Sequence, residues 1–139
     1  NYEAKLAHNP KELEAFLTPL VTAGIDIFHC SQRRFWEPEF EKSHLNLAGW
    51  VKKISSKPTI TVGSIGLDAD FISNPDQRGF SEAEPASLNE LLTRLDNDEF
   101  DLIAVGRALI SNPNWVKHIQ NNEDQKIKPF KKEHLRQLI

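Results

Sequence analysis

Apolar residues recur along this chain in two alternating rhythms, and the alternation predicts its elements. Over residues 11–23, Leu13, Phe16, Leu17, Leu20 and Val21 fall at helical spacing behind an Asn9-Pro10 start signal. Pro19 is expected to kink the last turn and Gly24 to stop it. Residues 25–30, with Ile25, Ile27 and Phe28, are short and β-prone, the pattern of a buried parallel strand. Helical spacing returns over 45–54 through Leu45, Leu47, Ala48, Val51 and Ile54, and Lys57-Pro58 breaks it before a second strand at 59–62. Residues 68–86, with Asn74-Pro75, Arg78-Gly79 and Pro85, read as loop. Ser87-Leu88-Asn89-Glu90 is a capping-box pattern that starts a helix through about Asp96, using Leu88, Leu91, Leu92 and Leu95. A third strand covers 102–105, Asn112-Pro113 opens a further helix, and 133–139 suits one or two last helical turns.

Strands that begin near residues 25, 59 and 102, each separated by an amphipathic helix, have the spacing of consecutive β/α units. Such units build a parallel sheet, and parallel sheets place ligands at the C-terminal ends of their strands. Three unusual stretches lie at those ends. One is the glycine corner Val62-Gly63-Ser64-Ile65-Gly66, and another is Gly106-Arg107. Two adjacent strands that each finish in glycine can bring backbone N–H groups to one phosphate. Ser64 adds a hydroxyl donor, Arg107 a planar fork of charged donors, and a short helix beginning near Ala108 its dipole. The third stretch is the connector 31–43, rich in charge and aromatic surface through Arg33, Arg34, Phe35, Trp36, Glu37 and Pro38. Its residues suit a ligand-facing loop or simple packing over a helix, and the pattern leaves both open.

Other chemistries find little support. The corner at Gly63 lacks the G-x-G-x-x-G spacing of a dinucleotide fold, and the chain has neither a Walker phosphate loop nor a G-x-S-x-G nucleophile elbow. His8, His29, His44, His118 and His134 are scattered without metal-ligand spacing. His29 and Cys30 point to opposite faces of a strand and form no pair. Glu37, Glu39 and Glu41 alternate in a loop and are expected to face water.

Composition narrows the class further. With 139 residues, 39% hydrophobic and 27% charged, the chain suits one modest globular core. A formal net charge of −3 supplies no basic field, which argues against a nucleic-acid partner; Lys52-Lys53 and Lys131-Lys132 read as solvated faces. No apolar run has the length of a membrane span, and Cys30 is the one cysteine, so a cytoplasmic location is expected. The chain contains no Met, and a fragment is expected.

Over nearly all its length the chain resembles the old yellow enzyme family of FMN-dependent NAD(P)H:flavin oxidoreductases. The resemblance rests on Pro58-Thr59-Ile60-Thr61-Val62-Gly63-Ser64 and Val105-Gly106-Arg107-Ala108-Leu109-Ile110-Ser111-Asn112-Pro113, with Leu47-Ala48-Gly49-Trp50 and Lys128-Pro129-Phe130 in support. It implies the C-terminal portion, about strands six to eight, of a (β/α)8 TIM barrel forming a single FMN-binding domain over residues 1–139, with the N-terminal half of the barrel absent. Gly63, Ser64, Gly106 and Arg107 would then hold the FMN phosphate, and 31–40, with Arg33, Phe35 and Trp36, would be a substrate-side loop. NADH or NADPH would be the reductant and a small activated alkene the substrate. The family's histidine pair, tyrosine proton donor and flavin-ring contacts have no counterpart, so this stretch alone is expected to be inactive. Ile27, Ile60 and Ile103 are expected on the barrel-facing side, open to self-association. Alternatives are another phosphate-binding TIM-barrel enzyme, such as an isomerase or aldolase, and a non-catalytic barrel piece that self-associates.

Overall fold

The computed structural model describes residues 5–70 and 81–136 and forms two compact units, Asn1–Gly63 with Asn89–Ala104 and Ser64–Leu88 with Val105–Ile139. Residues 71–80, which hold Asn74-Pro75 and Arg78-Gly79 of the expected loop, and 137–139 of the expected last helix lie outside the described residues.

The first unit holds α1 (Pro10–Thr22), β1 (Phe28–Ser31), α2 (Leu47–Ser55), β2 (Thr59–Val62), α3 (Asn89–Asp96) and β3 (Leu102–Ile103). Asn9 Oδ1 caps α1 by accepting from Glu12 N at 3.1 Å, while Glu12 Oε2 accepts from His8 N at 2.8 Å. Pro19 does not end the helix, which runs to Thr22 and stops as Gly24 takes a φ of +92°. Leu13 and Leu17, one turn apart, are its buried stripe. Helix α2 buries Ala48 and Val51 and packs on β1, β2 and α1.

The three strands are parallel in the order β1-β2-β3. A strictly sequential order with crossovers of the usual right hand puts the connecting helices on one face of a sheet. Burial agrees. Cys30 and Thr61 pair in register and are buried with Thr59 on the helix side. On the other side His29, Ile60 and Leu102 pair in register; Leu102 is 52% exposed, and Ile27, just before β1, is 40% exposed. Here the expectation needs correcting, since the register sets Ile103 beside Thr61, and Leu102 is the residue that shares a face with Ile60. Strand β1 also starts later than its apolar run. Its ladder begins where Phe28 N donates to Pro58 O (3.0 Å), the residue just before β2.

The edge between β2 and β3 is tied by reciprocal bonds. Asp101 N donates to Thr59 O at 3.0 Å, Thr59 N donates to Asp101 Oδ2 at 2.8 Å, and Lys52 Nζ on α2 reaches Asp101 Oδ1 at 3.0 Å and Asp98 Oδ1 at 2.6 Å.

The second unit holds α4 (Arg107–Ser111), α5 (Trp115–Gln120) and two 3-10 turns, Asp124–Lys126 and Lys132–Leu135. Its core gathers Ile65, Leu67, Ala83, Ala108, Trp115 and Phe130, and antiparallel bridges join Leu67 to Pro85 and Ala83 to Phe130. Gly66, at a φ of +68°, lies against the Trp115 indole, where a Cβ would meet Cζ2 at 2.9 Å. Asn112 does not cap the following helix, which starts at Trp115. Its Nδ2 donates to Lys128 O (2.9 Å) and Ala108 O (3.0 Å), while its Oδ1 accepts from Lys128 N (2.8 Å). The carboxamide thus serves as a peptide partner for a residue that no strand pairs.

Burial alone would raise the pKa of Asp101, but the Thr59 N–H and the Lys52 ammonium outweigh it and hold its carboxyl below the usual value. A carboxyl depressed on folding stabilises the native state above its unfolded pKa, and that stability is lost as pH falls through the folded one. Asp101→Asn keeps an acceptor for Thr59 but removes the charge, so it should cost about 1 kcal/mol near neutrality. The difference in melting temperature between wild type and Asp101→Asn should close as pH drops below the ordinary carboxylate range; a gap constant down to pH about 2 would contradict this assignment.

Candidate phosphate site

The strand ends differ in why they carry glycine. Gly63 takes a φ of +149°, and a Cβ there would sit 2.6 Å from Gln32 O and 3.1 Å from Arg34 N and Phe35 N. The bend is held by Phe35 N donating to Gly63 O at 3.1 Å. Gly63 is therefore required by the close approach of the loop after β1, inside the first unit. Gly106 is the opposite case: at a φ of −106° it stands just before α4, and among the described residues a Cβ there would meet nothing within 4 Å.

In the second unit Ser64 and Arg107 come together. Ser64 adopts a left-handed φ of +51°, and its Oγ lies 3.4 Å from Arg107 Nη2 and donates to Ala69 O at 3.3 Å. The guanidinium also donates through Nη2 to Ala69 O (2.6 Å) and through Nη1 to Asp70 O (2.9 Å) and Ser81 O (3.5 Å). Its carbon stands 5.5 Å from the centre of the Phe130 ring, a cation–π contact. The contacts of Ser64 Oγ with Arg107 and with Ala69 O are long for hydrogen bonds. The structure thus places Ser64, Gly106 and Arg107 in one unit, while Gly63 closes the other.

The loop after β1 is folded down by side chains. Phe35 is buried and meets Trp36 edge to face, ring centres 5.0 Å apart; Arg33 and Trp36 are half-buried. Gln32 Nε2 donates to Arg34 O (2.7 Å) and Glu37 O (3.3 Å), and its Oε1 accepts from Leu47 N (3.0 Å). Asn46, fully buried, caps α2 by accepting from Gly49 N (2.9 Å) and donates to Phe35 O (2.9 Å) and Thr61 Oγ1 (3.1 Å). Of the two roles open to Phe35, packing is the one its position supports.

Asn46 and Arg94 hold the loop after β1, a role the sequence pattern does not single out. Asn46 carries a readable signal, an N-cap type just before Leu47. Arg94 carries none, since its loop partners lie 50 to 59 residues away.

No protein-family model matches the chain, and no curated protein matches it. Among the described residues, no group of three or more His, Cys, Asp and Glu can hold a metal ion, and no helix is long and apolar enough to cross a membrane.

Burial pushes the Cys30 thiol up to about 12. The reactive thiolate is then about a thousandfold scarcer than for a thiol of ordinary pKa. Alkylation by iodoacetamide at pH about 8 should be markedly slower in the folded chain than in urea. Equal rates would place Cys30 outside the core.

Proposed function

We propose that this chain carries the phosphate-holding end of an FMN-dependent (β/α)8 oxidoreductase of old yellow enzyme type, acting in the cytoplasm. Several features support the reading. The motif resemblance at Gly63-Ser64 and Gly106-Arg107 suggests the ligand. The sequential parallel sheet, with helices on one face and Ile60 and Leu102 on the other, is the arrangement a barrel wall requires. The observation that carries the proposal is local. Ser64 and Arg107, 43 residues apart, bring a hydroxyl and a guanidinium within 3.4 Å, next to a glycine at which a side chain would meet no other described residue within 4 Å.

Those residues suit a phosphate monoester. Arg107 would supply positive charge and, where its long contacts to Ser81 O (3.5 Å) and Ser64 Oγ (3.4 Å) give way, charged donors; Ser64 would add a neutral one, and Gly106 would let an oxygen approach the backbone. Phe130 and the Ala69 and Asp70 carbonyls hold the guanidinium plane in place, so little side-chain freedom is lost on binding. FMN, reduced by NADH or NADPH, would supply hydride for an activated alkene. This chain's part is to hold the phosphate and so orient the flavin.

Riboflavin is FMN without the phosphate, and comparing the two isolates the site. An Arg–phosphate pair contributes about 1.5–3 kcal/mol, so FMN should bind roughly ten- to a hundredfold tighter than riboflavin in equilibrium dialysis. Arg107→Lys should retain part of the difference. Arg107 also holds backbone carbonyls, so Gly106→Ala is the cleaner variant. With its melting temperature measured alongside, it should remove most of the preference for FMN. Equal binding of FMN and riboflavin by the wild-type chain would overturn the proposal.

A further inference from the structure

Arg94, on the last turn of α3, is engaged at all three of its guanidinium nitrogens. Nε donates to Glu90 Oε1 at 3.1 Å and Nη2 lies 2.9 Å from the same oxygen. Nη2 also donates to Trp36 O at 3.2 Å, while Nη1 donates to Phe35 O at 3.4 Å and His44 O at 3.3 Å. The guanidinium thus makes four hydrogen bonds, three of them to carbonyls of one loop. The side chain is only 13% exposed, and Glu99, 8% exposed, stands 3.7 Å from Nη1 as a second counter-charge. Burying a guanidinium is costly unless it is paired and fully bonded. The cost is met here in a way that fixes both ends of the 35–44 segment.

We propose that Arg94 is the positioning residue of the loop after β1, a clasp that keeps Phe35 and Trp36 in one arrangement at the C-terminal end of that strand. A planar fork spans carbonyls from two parts of a loop, whereas an ammonium or a carboxamide reaches fewer of them. Asn46 Nδ2 shares the Phe35 carbonyl, so the loop is pinned from α2 and from α3 at the same atom. A loop so held is preorganised, and a ligand meeting Trp36 need not pay to order it. That Trp36 faces a ligand at all rests on the proposed barrel reading; the clasp does not.

Hydrogen exchange of single amides tests the clasp without flavin. The amides of Phe35, Glu37 and Glu39 are bonded to Gly63 O, Arg34 O and Leu45 O, and so report on opening of the loop. Arg94→Ala should raise their exchange about 10- to 100-fold, the factor for a lost charged clasp, with Arg94→Lys in between. Trp50 N in α2 and Phe130 N in the second unit should keep their protection. Because Arg94→Ala strands the buried Glu99, the pair Arg94→Met with Glu99→Gln removes the donors without leaving a lone carboxylate. In that variant too the loop amides alone should speed up. Unchanged loop amides in these variants, or the same acceleration at every amide, overturns the proposal. Loss of the FMN preference with the loop result intact would instead count only against the phosphate site.

Discussion

Every carbonyl that leaves a sheet still has to find a donor, and in this chain that constraint governs the rest. The three strands are short, so much of the backbone runs through loops with only isolated backbone pairing. Long polar side chains take the place of missing strands. Gln32, Asn46 and Arg94 answer the loop after β1, Arg107 answers Ala69 and Asp70, and Asn112 answers both backbone groups of Lys128. Each of these bonds is nearly worthless in water and expensive to leave unmade once buried. The residues that build the candidate site are thus the same kind of residue that holds its loops.

That economy bears on how Arg107 should be understood. A guanidinium already aligned by carbonyls and stacked near Phe130 is a rigid donor. Rigid donors gain more from a ligand than free ones do, because less is lost in ordering them. The carbonyl contacts and the proposed phosphate contact are therefore complementary roles of one side chain. Arg94 shows the same logic at a site with no proposed anion, which separates the supporting function of a buried arginine from the binding one.

The parts legible in the sequence were those decided locally. Leu13 and Leu17 mark the buried stripe of α1, Asn9-Pro10 its start and Gly24 its end, and the strand at Thr59–Val62 lies where its β-branched run predicts. The corners at Gly63 and Gly106 were visible as well, though not that steric crowding explains one and leaves the other open. What escaped depends on partners far along the chain. Asn112 looks like a cap because Pro113 follows it, yet Lys128 claims its carboxamide. Ile103 looks inward until the register with Thr61 is known. The carbonyl partners of Arg94 and Arg107 have no sequence signature, because a backbone carbonyl is present at every residue.

The crowding at Gly63 has a consequence for how this chain can vary over evolutionary time. The oxygen that would stand 2.6 Å from a new Cβ belongs to the backbone of Gln32, not to its side chain. No substitution at position 32 can clear the space, since every residue brings the same carbonyl. Drift at 63 is therefore barred to any change of one or two residues. It becomes open only after an insertion or deletion reshapes the path of the loop that begins at Gln32.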